Sequence, residues 1–351
     1  MASNRKQIIM GLEEIMEESI DILEKGFYDK KFYFSYSSIN KLMWSPAVFY
    51  NMYVLGIREE KTDQHLVQGK IIHALLLEKE KFDENFIVSP DNLPTGNTKI
   101  VVDRVFNHHK ELSKNGDERT SLVEFTDAII DVLKDMNLHQ SLKTDQQRLD
   151  KILIAESENY WNFLRAKGSK TLIDKESYDY CVSAVEIIKT NKKVCDLIGC
   201  NVTEFDNKVV ANEFPIQTDI PNRPFGLKGF IDNLVVDHDK KIVYINDVKT
   251  TSKELKDFPE TVEFYSYWMQ AIIYCTMVSL HFQDLMQQGY TVQFNFVVID
   301  KMFQTYAFRV RDTTLVEWLD RLNKVFDKVQ WHYEKKSYDL PYDFAMDLVT
   351  L

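Results

Sequence analysis

Two periodicities divide the chain. Up to about residue 200, apolar residues recur three and four apart, which is the spacing of one helix face; beyond it come runs rich in Val, Ile, Phe and Tyr that read as strands. Residues 5–25 carry Ile8, Ile9, Leu12, Ile15, Met16, Ile20 and Leu23 at helical spacing. The stretch FYFSYSSINKLMWSPAVFYNMYVLG is expected to begin extended, turn helical after Ser37 as N-cap, and break near Pro46. QHLVQGKIIHALLLEKEKF predicts a helix from about Gln64 to Lys81. Residues 88–120 hold Pro90, Pro94, Gly96 and Gly116 among many polar residues and read as a loop and mobile surface segment. Helical spacing resumes from about 120 to 200, where Gly199 is a helix stop. EFDNKVVANEFPIQTDI, FGLKGFIDNLVVD, KIVYINDVKTT, VQFNFVVID and TYAFRVR then read as strands. One long helix, FYSYWMQAIIYCTMVSLHFQDLMQQG, separates the third strand from the fourth, and TTLVEWLDRLNKVFDKVQWHYEK follows the last. The pattern predicts an α+β core of about 150 residues behind a helical region.

Composition narrows the classes. At 351 residues and 44% hydrophobic, the chain can bury a substantial core. No apolar run reaches the length of a membrane span, and the N-terminus has the pattern of an acidic amphipathic helix rather than a signal peptide, so a cytoplasmic protein is expected. Cys181, Cys195, Cys200 and Cys275 are few and irregularly spaced, as free thiols in a reducing compartment would be. A net charge of -11 argues against broad electrostatic attraction to nucleic acid, but leaves room for a local basic groove or bound cations.

The chemistry concentrates in GFIDNLVVDHDKKIVYINDVKTT. If His238–Lys241 form a four-residue hairpin loop, Asp237 pairs with Ile242, and counting back sets Leu234 opposite Ile245 and Asp232 opposite Asp247. Strand side chains alternate, so Lys249 shares the face of both acids. Like charges directly across a sheet repel. Two readings fit: an ion-pair cluster at a sheet end, or a site where converging carboxylates hold Mg²⁺ or Mn²⁺. Two helical pairs add to this: Gly69 with His73, and Gln270 with Tyr274, each four apart and so on one face.

Taken in order, Gly69-Lys-Ile-Ile-His73, Gly229-Phe-Ile-Asp232, Asp247-Val-Lys249 and Gln270-Ala-Ile-Ile-Tyr274 resemble the motifs of the PD-(D/E)XK nucleases, in the branch holding the RecB nuclease domain and RecE-like phage exonucleases. SYSSINKLMWSPAVFY and DKESYDYCVSAVEIIKTNKKVCDLIG are also similar to the RecE-like group, so the resemblance spans about 35 to 310. The second acid is Asp247 where many relatives have Glu, the four-cysteine iron–sulfur pattern of some relatives is absent, and no Walker motif occurs.

The resemblance implies an α/β/α restriction-endonuclease-like core with a mixed β-sheet flanked by helices. It implies an N-terminal helical segment over 1–62, a core helix with the histidine motif over 63–87, an inserted helical region over 88–200 and a catalytic core over 201–351. The implied activity is Mg²⁺- or Mn²⁺-dependent DNA hydrolysis, with no iron–sulfur cluster and no nucleotide. Asp232, Asp247 and Lys249 would be catalytic, and His73, Asp232, Asp247 and the Val248 carbonyl would bind metal. Gln270, Tyr274, Lys228 and Thr250 would bind substrate. The expected substrate is double-stranded DNA with a free end, processed for recombination or repair in a bacterial cell or phage-infected host, with a recombinase or single-strand annealing protein as partner and self-association as a further expectation. A structure- or site-specific endonuclease and an inactive DNA-binding or assembly module are the alternatives. Tyr33, Tyr36, Trp44 and Phe49 are candidates for stacking on an unpaired end, or else core residues.

Overall fold

The computed structural model describes residues 22–57, 64–113 and 119–349. The expected helix over 5–25 lies outside these except for its last turn, 22–25, which is helical. In chain order the strands are β1 (Tyr33–Phe34), β2 (Phe86–Val88), β3 (Thr171–Ile173), β4 (Lys208–Asp219), β5 (Gly226–Asp237), β6 (Ile242–Thr251), β7 (Thr291–Asp300) and β8 (Thr305–Arg309). The helices used below are α1 (Tyr36–Trp44), α2 (Gln64–Leu77), α3 (Gly96–Ser113), α4 (Thr126–Asp135), α5 (Ala155–Lys167), α6 (Lys175–Thr190), α7 (Lys192–Ile198), α8 (Phe258–Phe264), α9 (Tyr267–His281) and α10 (Asp312–Lys335). The chain divides into two units, Met1–Gly69 with Ala184–Leu351, and Lys70–Ser183. Both divisions fall inside helices, α2 and α6.

The first unit is built on a mixed sheet in the order β1-β5-β6-β7-β8, with β4 also paired to β5. Pro215 sits in β4 without cost to the ladder, because β4 pairs with β5 alone and a proline lacks only an N–H that an edge can spare. One face carries Leu234, Val243, Ile245, Phe294, Phe296 and Val298, buried with Met269, Ile272, Ile273 and Met277 of α9 and Leu322, Phe326 and Val329 of α10. Each such side chain removed from water contributes about 1.5–3 kcal/mol before chain entropy opposes it. The other face meets α7. This is a mixed sheet flanked by helices, the α+β core that the pattern predicts in the arrangement that the resemblance implies.

Local departures have physical causes. Helix α1 begins two residues earlier than expected: Ser35, not Ser37, is its N-cap, because Ser35 and Ser38 exchange side-chain and backbone hydrogen bonds in a capping box. The helix over Gln64 to Lys81 ends at Leu77, and a second short one runs Lys79–Asn85. Gly199 does end α7, at φ 74°, and a Cβ there would lie 2.6 Å from Val210. The single long helix expected from Phe264 onward is broken: Ser266 stands at φ 58° between α8 and α9.

In the second unit, β2 and β3 form a short parallel pair, and α3, α4 and α5 enclose Val101, Val102, Val105, Phe125, Ile129, Leu133, Tyr160 and Trp161. The loop expected over 88–120 is corrected here, since Gly96–Ser113 is helical. The prolines precede the helix and Gly96 opens it rather than interrupting it, and Val101, Val102 and Val105 supply an apolar face that polar neighbours obscure in the sequence.

Candidate active site

The hairpin of β5 and β6 has the register its four-residue loop predicts. Asp237 pairs with Ile242, Val236 with Val243, Leu234 with Ile245 and Asn233 with Asn246. Backbone pairing then stops. On this edge of β5, residues 228–232 lie between the β1 pairing at Gly226–Leu227 and the β6 pairing from Asn233 onward, so the sheet forks. At the fork the Val248 N–H donates to Oδ2 of Asp232 at 2.8 Å, a side-chain acceptor where the ladder would have offered a carbonyl. A strand residue's N–H and C=O point to the same side, so the Val248 carbonyl also opens toward the fork. Asp232 and Asp247 are both buried, Asp247 completely.

Lys249 lies one pleat beyond Asp247 on the same face. Its Nζ is 2.5 Å from Oδ2 of Asp247 and 4.9 Å from the centre of the Tyr267 ring. Burial works to deprotonate the amine, but the charges of Asp247 and Asp232 and the hydrogen bond to Asp247 outweigh it, and its pKa is raised. Burial raises the Tyr267 and Tyr274 phenols, with the Asp247 charge acting the same way, so both stay protonated.

Gln270 and Tyr274 approach the acids from α9. Both are buried, and the Gln270 amide donates to the Tyr274 hydroxyl at 3.3 Å. Oε1 of Gln270 has no hydrogen-bond partner among the described residues, an unused acceptor that a buried amide retains at a cost unless a ligand meets it. Gly229 explains the first position of its motif. A Cβ there would lie 3.1 Å from the Tyr274 ring and 3.4 Å from Met277, so glycine lets the tyrosine rest against β5.

Glu213 is a site residue the sequence pattern does not reveal. It falls between the pairs Asn212 with Asn233 and Phe214 with Ile231, directly across from Asp232, and its left-handed φ of 46° interrupts the ladder there. Carboxylate oxygens of Glu213 and Asp232 lie within 4.8 Å of each other. A register count through β4 would have found it, but the turn from Ile220 to Phe225 has no hairpin signature from which to count.

The remaining expected residues are placed as follows. Thr250 is on the opposite face of β6 from Lys249, and a Cβ on Gly69 would meet its Oγ1 at 3.6 Å, an ordinary contact. Lys228 is exposed on β5, with Nζ 5.6 Å from the Phe32 ring. His73 is half-buried on α2, one turn past Gly69 and in the second unit. Of the stacking candidates, Phe49 is fully buried core and Tyr33 bonds to Asp219. Tyr36 donates to the Tyr265 carbonyl, and Trp44 is exposed.

A second feature lies behind the fork. Asn212, Asn233, Asn246 and Asn295 stand in register on four neighbouring strands. Each amide donates to the next: Asn295 to Asn246 at 2.9 Å, Asn246 to Asn233 at 2.8 Å and Asn233 to Asn212 at 2.8 Å. Asn246 and Asn233 also donate to the Leu197 and Ile198 carbonyls, which end α7 and lack helical donors. The row joins α7 to the residues adjacent to Asp232 and Asp247.

The model of the PD-(D/E)XK nuclease superfamily matches residues 33–337. Among solved structures, that of a candidate exonuclease from Eubacterium rectale is 11% identical, covering 91% of this chain and 89% of its own, at a TM-score of 0.45. The protein SSO0001 is 10% identical, covering 66% of this chain and 87% of its own, at a TM-score of 0.22. Both scores are too low to bear on the chemistry. No curated protein matches the sequence.

Proposed function

Because the chain belongs to the PD-(D/E)XK nuclease superfamily, we propose that it is a metal-dependent deoxyribonuclease, acting as an exonuclease on linear double-stranded DNA with a free end. The observation that carries the reading is the pair Asp232 and Asp247 at the fork with Lys249 beside them. The donor set fits a hard divalent cation: carboxylate oxygens of Asp232, Asp247 and Glu213, and the Val248 carbonyl, suit Mg²⁺ or Mn²⁺. From the sequence motif alone, His73 joins this set as a nitrogen ligand. A bound cation lowers the pKa of a coordinated water and offsets charge growing on the phosphate.

The chain's own groups divide the remaining work. Lys249, kept protonated by its acids, offers a fixed positive charge to the phosphate rather than accepting a proton. Tyr274, kept neutral, holds Gln270, whose free Oε1 is placed to accept a hydrogen bond from water or substrate. Lys228 and Thr250 would contact the DNA backbone. End resection for recombination or repair, with an annealing or recombinase partner, is the setting that suits such an activity.

The test incubates the protein with end-labelled linear and closed circular DNA in Mg²⁺, Mn²⁺ or EDTA, beside Asp247→Ala. Loss of the linear form alone, absent in EDTA and in Asp247→Ala, is expected. Cutting of circles would replace the exonuclease by an endonuclease, and no metal-dependent cleavage of DNA would sink the reading.

A further inference from the structure

Resting on the nuclease reading, we propose that Phe264 and Tyr265 form a stacking platform for unpaired bases, which brings a single strand of the substrate to Lys249. The break between α8 and α9 builds it. Side chains two apart on a regular helix point away from each other, yet Tyr265 and Tyr267 stack at 5.6 Å with 28° between their planes. The left-handed Ser266 between them makes this geometry available. Phe264 packs edge-on against Tyr265 at 4.9 Å. The rings therefore form a line, from Phe264 through Tyr265 to Tyr267, whose inner ring lies 4.9 Å from Nζ of Lys249.

The outer two rings are exposed, Phe264 by 75% and Tyr265 by 48%. Neither ring is among the described residues that pack on the core of the sheet. Here the turn is fixed. The Tyr36 hydroxyl donates to the Tyr265 carbonyl at 2.5 Å. Arg321 holds Glu263 of α8 through two bonds of 3.0 Å and covers the Trp268 ring of α9 at 3.9 Å, tying the helices on both sides of the break. Lys253 lies 5.7 Å from the Phe264 ring, a cation where the phosphate of a stacked nucleotide would pass.

The chemistry selects unpaired bases. Every base has a face that stacks on an aromatic ring, but in a duplex those faces are covered by neighbours. A chain of net charge -11 gains little from general attraction to a polyanion, so stacking is a source of affinity that its charge does not oppose.

The test measures binding of a labelled single-stranded oligonucleotide in EDTA, where no cleavage competes, for the wild type and Phe264→Ala/Tyr265→Ala. The substitution should weaken binding about tenfold or more, and leave the slope of affinity against salt unchanged, because no charge is lost. Tyr265→Phe with Phe264→Tyr should bind as the wild type does. Blunt duplex should be cleaved more slowly relative to the same duplex with splayed ends as stacking is lost. Single-strand affinity within twofold of wild type would overturn the proposal. So would a double variant whose only change is a shift in sedimentation, which would make the rings an interface between copies of the chain. A wild type that binds the oligonucleotide but cleaves no DNA would overturn the nuclease reading instead, and leave the platform standing on the binding measurement.

Discussion

Burial works to lower the pKa of Lys249, but the carboxylates of Asp247 and Asp232 outweigh it and raise it. A raised folded pKa means that the contribution of this amine to stability is complete below the ordinary lysine value of 10.5 and is lost only as pH rises through the folded value. The charge is therefore constant across neutral pH. Lys249→Gln should lower kcat by about 10²–10³-fold, the usual loss when one electrostatic donor is removed. DNA affinity measured in Ca²⁺ should change far less, and an equal loss in both would point to a binding role instead. At this scale the sequence is informative where parity and a loop of known length fix geometry, as they do for Asp232, Asp247 and Lys249. It is silent on Glu213, because an irregular turn precedes β5 and because a glutamate at positive φ leaves no signature.

Among the elements, the hairpin and the asparagine row hold the acids in place. Asp237 closes the hairpin: its Oδ1 accepts from the Lys240 N–H at 3.0 Å, with Lys240 and Lys208 nearby. Burial raises its pKa, but that hydrogen bond and those charges outweigh burial and lower it. A lowered folded pKa adds stability that is complete above the ordinary aspartate value of 3.8 and lost as pH falls through the folded value. Wild type should therefore lose part of its thermal stability in acid that Asp237→Asn never had, so the two melting temperatures should converge as pH falls. The row behind the fork is more demanding. Asn246→Leu strands the Asn295 amide, the Asn233 oxygen and the Leu197 carbonyl, at a cost of about 3 kcal/mol. Urea unfolding would read this as a lower midpoint at unchanged slope, and an unshifted midpoint would mean that the row does not bear on the fold. The break at Ser266 was hidden because no glycine or proline marks it, and the apolar spacing runs through it without a phase change.

The whole molecule is acidic, with a net charge of -11, and several of the cations in its catalytic half are paired locally. Lys240 faces Asp237, Lys256 faces Glu254, and Arg309 approaches Asp312 at 3.9 Å. Duplex affinity, measured by anisotropy in Ca²⁺, should accordingly fall with salt at a log–log slope of roughly -2 to -3, equivalent to two or three phosphate contacts. A steep slope would require a basic surface that these pairs deny. No helix among the described residues is long and apolar enough to cross a membrane. The asparagine row has a meaning at this scale as well. It is built entirely of neutral amides, so its strength does not depend on which ions are present. The fork must receive doubly charged cations and a polyanion in turn, and ion pairs used as struts there would be drawn into each exchange. A strut of uncharged groups keeps the acids aligned while the charges around them come and go.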